Sequence, residues 1–155
     1  MLKYSLLITA LTATGAFAFN YDSYAPVEMK FFQNISENYE KQDGPGVGSF
    51  SNKFRLILPI SAKPTPVDKK GAWAIKHYNH FVWQDPQHSS AYTHELMIRA
   101  DDVNFRLIFQ KQLLPYLEKE QLIGKNVLLF CMHGLYNTFD NTHTLFVAEF
   151  QALPE

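Results

Sequence analysis

The fold is decided by two stretches in the second half of the chain, Glu95–Gln110 (ELMIRADDVNFRLIFQ) and Lys125–Leu153 (KNVLLFCMHGLYNTFDNTHTLFVAEFQAL). In the first stretch, every second residue from Val103 to Phe109 is apolar, which is the period of a β-strand with a buried face. In the second stretch, both alternating sets are largely apolar, and the turn-forming residues Asn137–Asn141 divide it into two strands. We therefore predict a mainly β domain in which both faces of the last two strands are covered.

Further strands and one helix extend this pattern to the rest of the region. The predicted strands are Gly71–Gln84, Tyr92–Ala100, Val103–Gln110, Val127–Asn137 and Thr142–Leu153, and the helix is Leu113–Ile123. A bulge or bend between His77 and Asn79 is expected to let the first strand turn a corner. We expect the five strands to close into a small β-barrel with the helix across one end.

The order of three strands, a short helix and two strands resembles the oligonucleotide/oligosaccharide-binding (OB) fold. The run Leu122–Val127 also resembles the entry of such domains into their fourth strand. The resemblance covers about 85 residues and implies a five-stranded barrel with its helix between strands 3 and 4. It also implies that ligands bind to the face of strands 2 and 3. The fold by itself fixes no function.

The chain before this barrel divides into shorter parts. Residues 19–52 are predicted to be an N-terminal extension, with a helix that begins near Pro26 and a Gly-rich linker at Asp43–Ser51. The apolar residues of that helix recur at spacings of three and four, at Met29, Phe32, Ile35 and Tyr39. Residues 53–155 form the single β-barrel domain, which opens with an extra strand at Lys53–Ile60.

The first eighteen residues have the pattern of a secretory signal peptide. Lys3 precedes an apolar run, and Ala16 and Ala18 occupy the −3 and −1 positions of a cleavage site before Phe19. This apolar run is too short for a membrane-spanning helix, which needs about 20 residues. We expect a periplasmic or secreted bacterial protein with no transmembrane segment after cleavage; an uncleaved N-terminal anchor is the alternative.

Composition narrows the function classes. The chain has 155 residues, a formal net charge of −1 and one cysteine, Cys131. The near-zero net charge argues against a nucleic-acid partner. One thiol precludes an intramolecular disulfide and argues against the disulfide-rich extracellular class. The high aromatic content, with thirteen Phe, eight Tyr and two Trp, favours strands.

A candidate ligand-binding surface follows from alternation along the second and third predicted strands. Arg99, Asn104 and Arg106 are expected to point outward there. Tyr92 and Trp83 are expected to add aromatic surface beside them. Aromatic rings with neighbouring arginines are typical of surfaces that hold sugars, peptides or single strands. Because nucleic acid is not expected, a protein, peptide or glycan ligand is the prediction.

Six histidines raise the question of a metal site. His80, Asp85, His88 and His94 flank one turn and could gather at its end, where imidazole and carboxylate groups would suit zinc. The spacing matches no known ligand motif. The preferred prediction is therefore that the protein has no cofactor, and the alternative is a zinc site.

The last predicted hairpin carries a second pair of histidines. His133 and His143 flank the turn, so they should lie nearly opposite each other. We expect a polar cross-strand pair at the mouth of the hairpin; sharing of Asp140, or joint titration at mildly acidic pH, is the alternative. Cys131 alternates with apolar residues and should be a buried, unreactive thiol.

These observations favour an exported, non-catalytic OB-like domain that binds a protein, peptide or glycan in the bacterial envelope. The sequence shows neither a nucleophile elbow nor a catalytic cysteine signature, so an enzyme is the less favoured class. A metal-dependent hydrolase that uses the four-residue cluster is one alternative. A structural subunit of an envelope complex is the other.

Overall fold

A computed structural model describes residues 19–42 and 44–155 of the chain, and the predicted signal peptide lies outside this part. The strands are β1 (Ala25–Pro26), β2 (Val47–Ser49), β3 (Lys53–Pro59), β4 (Thr65–Pro66), β5 (Tyr92–Ala100), β6 (Val103–Gln110), β7 (Asn126–Asn137) and β8 (Thr142–Ala152). The helices are α1 (Met29–Glu40), α2 (Lys69–Tyr78), α3 (Pro86–Ser89) and α4 (Leu114–Lys119). A π-helical turn (Asn79–Trp83) continues α2, and 3-10 turns lie at Tyr21–Ser23 and Lys111–Leu113.

The strands form one open, mixed sheet in the order β1-β3-β7-β8-β6-β5-β4, with β2 paired to the end of β7. The predicted closed barrel is therefore wrong, although the mainly β class is confirmed. Each outer strand is only two residues long and ends in a proline, Pro26 on one edge and Pro66 on the other. Proline has no N–H to donate to a further strand, which helps to explain why the edges do not meet.

The prediction of a strand at Gly71–Gln84 is also wrong, because this segment consists mainly of α2 and of the π-helical turn that follows it. The side chain of Asp68 caps the helix by accepting a hydrogen bond from the Gly71 N–H at 2.8 Å. Ala74 and Tyr78, four residues apart, are the buried positions that face the sheet. The aromatic residues of this segment suggested a strand, whereas the cap and the spacing of four select a helix.

The other predicted elements are present. Strands β3, β5, β6, β7 and β8 lie at the predicted positions. The helix α1 begins three residues after Pro26, and the predicted Leu113–Ile123 helix is shorter, a 3-10 turn followed by α4. The segment predicted as an N-terminal extension contributes β1, β2 and α1 to the packed structure. No helix among the described residues has the length and apolar character needed to cross a bilayer.

The larger core lies on the side of the sheet that α1 and α4 cover, which we call the closed face. Its sheet residues include Phe54, Leu56 and Leu58 of β3, Phe105, Leu107 and Phe109 of β6, and Leu145 and Val147 of β8. Phe32 of α1 is fully buried and meets the rings of Phe54 and Phe105 edge to face, with centroids 5.3 and 5.0 Å apart. Burying such a ring contributes about 1.5–3 kcal/mol, so Phe32 anchors α1 to the sheet.

The other side of the sheet, which we call the open face, is covered in part by α2. Ile108 of β6 and Phe146 of β8 pack there against Ala74 and Tyr78. The Tyr78 hydroxyl donates to the carbonyl of Phe50 at 2.5 Å, which fixes the C-terminal end of the helix. The part of this face nearest the β7–β8 turn extends beyond the helix, and this end carries the site described next.

Candidate functional site

A cleft of about 370 Å³ occupies the uncovered end of the open face. Its floor is the sheet, its wall is the N-terminal half of α2, and its lip is the turn between β7 and β8. The lining residues are Val47, Lys69, Lys70, Trp73, Ala74, Arg106, Leu135, Asn137, Phe139, Asp140, Thr142 and Thr144. Thr142 and Thr144 alternate along β8 with residues of the closed face, which places the floor on the open face.

Arg106 is the charged residue of the floor. Its side chain is only 6% exposed, and its Nη1 donates to Glu95 Oε2 at 2.5 Å and to Asp68 Oδ1 at 3.0 Å. Glu95 is itself buried, and its Oε1 accepts from the Asp68 backbone N–H at 3.1 Å. We call Arg106, Glu95 and Asp68 the arginine cluster. A buried arginine with this many charge-assisted bonds has a fixed position.

The cluster also ties the wall of the cleft to its floor. Hydrogen bonding from the Gly71 N–H, together with the charge of Arg106, lowers the pKa of Asp68 from its usual value. Asp68 therefore stays ionised as the cap of α2 at neutral pH. A Cβ at Gly71 would collide with the Glu95 carboxylate, so only glycine allows the helix to approach this closely.

The lip supplies one carboxylate, Asp140. Its Oδ2 accepts a hydrogen bond from Lys70 Nζ at 3.3 Å, so the two side chains form an ion pair. Its Oδ1 is buried and has no hydrogen-bond partner within residues 19–42 and 44–155. Buried polar atoms normally have a partner, so this oxygen is available to a donor that enters from outside the chain.

Exposed aromatic rings form the rim of the cleft. Trp73 is 45% exposed and Phe139 is 73% exposed, and both line the opening. Trp73 stacks on His77 with ring centroids 4.8 Å apart, and Phe81 follows His77 at 4.7 Å. Burial and the neighbouring His80 lower the pKa of His77. This row of rings runs outward from the cleft along α2 and its π-helical extension.

A second polar cluster is sealed beneath α1 on the closed face. His133 Nε2 and His143 Nδ1 lie 3.2 Å apart, and His143 Nε2 lies 3.0 Å from Ser36 Oγ. Both histidines have no exposed surface, and Phe50 stacks on the His133 ring at 4.2 Å. We call Ser36, His133 and His143 the histidine cluster. The predicted pairing of His133 and His143 is confirmed.

The direction of its hydrogen bonds follows from the serine. Ser36 Oγ donates to the Phe32 carbonyl at 3.1 Å, so it accepts from His143 Nε2–H. His143 Nδ1 then accepts from His133 Nε2–H, which leaves His133 Nδ1 as a buried lone pair without a partner among the described residues. With the opposite tautomers, His133 Nδ1 would carry a buried N–H without an acceptor among the described residues. The single proton of Ser36 Oγ would then have two acceptors, the Phe32 carbonyl and His143 Nε2.

This arrangement favours neutral rings. Burial lowers the pKa of both histidines, and the proximity of His143 lowers that of His133 further. A serine nucleophile would need to donate its proton to the histidine, which is the opposite direction. The cluster therefore serves to join α1 to the hairpin.

The structure separates the five residues of the predicted ligand-binding surface. Arg106 is buried rather than outward-facing, because β6 lies inside the sheet and α2 covers its open face. Tyr92 is also buried, and Trp83 is half-buried and stacks on it at 5.1 Å. Arg99 is exposed and pairs with its neighbour Asp102, and Asn104 donates to a turn carbonyl at 3.4 Å. Of the five, only Arg106 lines the cleft.

The four residues of the predicted metal site have separate roles in the structure. Asp85 caps α3, accepting from the backbone N–H groups of Gln87 and His88 at 3.0 and 3.1 Å. His94 is hydrogen-bonded to the adjacent Thr93, the His80 ring meets Phe81, and the His88 ring meets Trp83. Across residues 19–42 and 44–155, no three His, Cys, Asp or Glu side chains gather as a metal ion would require.

The remaining predicted chemical group is Cys131. It has no exposed surface, as the alternation of β7 predicted. Burial raises the pKa of its thiol, which therefore stays protonated at neutral pH. It is a packing residue of the closed face.

The cleft residues other than Arg106 were missed in the sequence. The available signal was Asp68, a good helix cap, followed by Lys69 and Lys70 and, one turn further along the helix, by Trp73. The contribution of Phe139 and Asp140 depends on how the hairpin turn reaches α2, which no local pattern encodes. Comparisons with protein families, with curated proteins and with solved structures found no match to this chain.

Proposed function

We propose that this protein is a non-catalytic binding domain, exported to the bacterial periplasm or exterior, which holds its ligand in the cleft of the open face. One observation carries the proposal. The cleft joins an apolar lining to polar atoms that have no partner among the described residues, namely Asp140 Oδ1 and donors of Arg106. A concave apolar site with a few converging polar groups is the usual form of a ligand site.

The size of the cleft supports a small occupant. Its about 370 Å³ is at the lower end of the range for small-molecule sites. One side chain of a peptide or protein, one sugar unit or one small free molecule would fill it. We propose that the occupant lies under Trp73 and Phe139; a peptide, protein or glycan group is the class predicted from the sequence, and a free small molecule is added by the size of the cleft.

The order of elements supports an OB-like binding face. With β3 in place of Gly71–Gln84, the sequence β3, β5, β6, α4, β7, β8 again reads as three strands, a helix and two strands. The second and third of these strands are β5 and β6, which contribute Glu95 and Arg106 to the arginine cluster. Strands 2 and 3 are the usual ligand-binding face of OB domains.

The test is a binding screen with two rim variants. Peptides, glycan fragments and small aromatic or aliphatic molecules are screened by thermal shift against the wild type. Any hit is then titrated against Trp73→Ala and Phe139→Ala, with Met97→Ala as the matched control, since Met97 is exposed but does not line the cleft. We expect both rim variants to lose affinity and the control to keep it. A ligand that binds all four proteins equally would contradict the proposal.

Export is tested separately. The full chain is expressed in a bacterial host with a periplasm, and the N-terminus of the protein recovered from the periplasm or medium is determined. We expect processing before Phe19. An intact Met1 in a protein that stays in the cytoplasm would contradict export without bearing on the cleft.

A further inference from the structure

We propose that the ligand of the cleft is a small organic anion, with a carboxylate held at Arg106 and Lys69 and an apolar body of about one ring. This inference rests on the proposed function, because it assigns a chemical class to the occupant of the same site. It commits to a free small molecule rather than to a peptide terminus.

The first step is the geometry of Arg106. Within the arginine cluster, Arg106 donates both of its hydrogen bonds, to Glu95 and to Asp68, from Nη1. Within residues 19–42 and 44–155, no hydrogen bond leaves from its Nε or Nη2. The residue lines the cleft, so its unused donors are available there. A guanidinium with a free edge matches a carboxylate in a bidentate geometry.

The second step is the balance of donors and acceptors around the cleft. Lys69 lines the rim and makes no ion pair with any described residue. Lys70 already neutralises Asp140, which removes much of the repulsion that this carboxylate would exert on an anion. Among the described residues, the unpaired charged donors of the lining, on Arg106 and Lys69, outnumber its unpaired carboxylate oxygen, Asp140 Oδ1, so an acceptor-rich head group is the better match.

The third step is the apolar remainder of the lining. Val47, Ala74 and Leu135 contribute aliphatic surface, and Trp73 and Phe139 contribute rings. A single aromatic ring or a short chain would fill this space and would keep water away from the ion pair, which strengthens the pair. An anion without an apolar body would leave this surface wet.

The experiment compares three probes that share one body. The affinities of 3-phenylpropanoate, 3-phenylpropan-1-ol and 3-phenylpropylammonium for the full chain are measured by calorimetry at neutral pH. We expect the carboxylate to bind at least about tenfold more tightly than the alcohol, because a charge-assisted pair replaces a neutral hydrogen bond. We expect the ammonium compound to bind most weakly.

Variants assign the head group to the cleft. Replacing Arg106 would leave buried Glu95 unpaired and could unfold the protein, so the exposed lysines are changed instead, as Lys69→Gln with Lys70→Gln. We expect about threefold or greater loss for the carboxylate and little change for the alcohol. Lys76→Gln is the matched control, since Lys76 is exposed on α2 but does not line the cleft. The Nε–H resonance of Arg106 should also shift with the carboxylate and not with the alcohol.

The outcomes separate this inference from the proposed function. If the alcohol or the ammonium compound bound as tightly as the carboxylate or more tightly, and Trp73→Ala still weakened that binding, the anion assignment would be overturned. The proposal that the cleft is the ligand site would stand. Failure of all three probes would overturn the inference; the ligand screen described above decides the cleft independently. A peptide ending in a free phenylalanine carboxylate that binds far more tightly than 3-phenylpropanoate would overturn the free small molecule in favour of a peptide terminus.

Discussion

The two faces of the sheet treat buried polar groups in opposite ways. On the closed face, the two rings of the histidine cluster are neutral and fully covered, and the cluster is joined in a chain of hydrogen bonds that ends within the protein at the Phe32 carbonyl. On the open face, the arginine cluster is charged and borders a cleft, and Arg106 makes both of its hydrogen bonds to other described residues from one nitrogen, Nη1. The comparison teaches that burial alone does not mark a site. What distinguishes the open face is the surplus of donors beside an apolar space.

The first way to break the comparison is to remove the charge of the open face. Arg106→Met should reduce the free energy of unfolding by about 3–5 kcal/mol, because it leaves the buried Glu95 carboxylate without its positively charged partner. Urea denaturation at neutral pH measures the change. Arg99→Met is the control, since its ion pair with Asp102 is exposed and should be worth less than about 1 kcal/mol. Equal effects of the two substitutions would mean that the arginine cluster is not buried as described.

Acidification tests the closed face. The pKa of His133 and of His143 is lowered in the folded protein, so the unfolded chain binds more protons once the pH falls below the ordinary histidine value of about 6.5. Stability is therefore present above that pH and is lost as the pH falls toward the lowered values. Between pH 7.5 and 5 the loss should be about 2 kcal/mol for each histidine.

The measurement is the free energy of unfolding from pH 7.5 to about 5, with His143→Leu as the comparison. The variant will be less stable at neutral pH, but its stability should fall less steeply with acidification because one titrating group has gone. A variant with the same slope as the wild type would contradict neutral burial of His143.

A smaller effect is expected where the two elements of the open face touch. Gly71→Ala should cost about 1–3 kcal/mol, because the added methyl group meets the Glu95 carboxylate and must push α2 from the sheet. Gly46→Ala is the matched control, since its Cβ would have no neighbour within 4 Å. Thermal unfolding of the two variants compares them, and an equal or higher midpoint for Gly71→Ala would show that the helix does not need this approach.

The smallest effect on stability is expected at the rim. Phe139→Ala should change the free energy of unfolding by less than about 0.5 kcal/mol, since the ring is largely exposed. Phe32→Ala, on the closed face, should cost about 3–5 kcal/mol. Urea denaturation of both variants gives the contrast. A rim ring that proved as important to folding as Phe32 would be a core residue rather than a ligand contact.

Much of the sheet could be predicted because its signals are local. The alternation of Val103–Gln110 and the turn at Asn137–Asn141 each lie within about ten residues, and the three strands that they predict, β6, β7 and β8, are confirmed. The pairing of His133 with His143 followed from the same turn. The prediction for Gly71–Gln84 was wrong because it gave more weight to the aromatic content than to the helix cap at Asp68, three residues before the segment.

The cleft could not be predicted, because it depends on contacts between distant parts of the chain. Arg106 was expected to face solvent by alternation alone, and its burial requires α2 to lie over β6. The ion pair of Lys70 with Asp140 joins residues seventy positions apart. The openness of the sheet likewise depends on how Pro26 and Pro66 end up at its two edges.

The most direct test of the central claim is a map of backbone amide chemical shifts during titration with 3-phenylpropanoate. The two-face account predicts shifts at residues 69–74 and 137–142, around Trp73 and Phe139, and none around Ser36, His133 and His143 beneath α1. Shifts centred on the histidine cluster, or on Tyr92 and Gln110, which pair at the other end of β5 and β6, would contradict it.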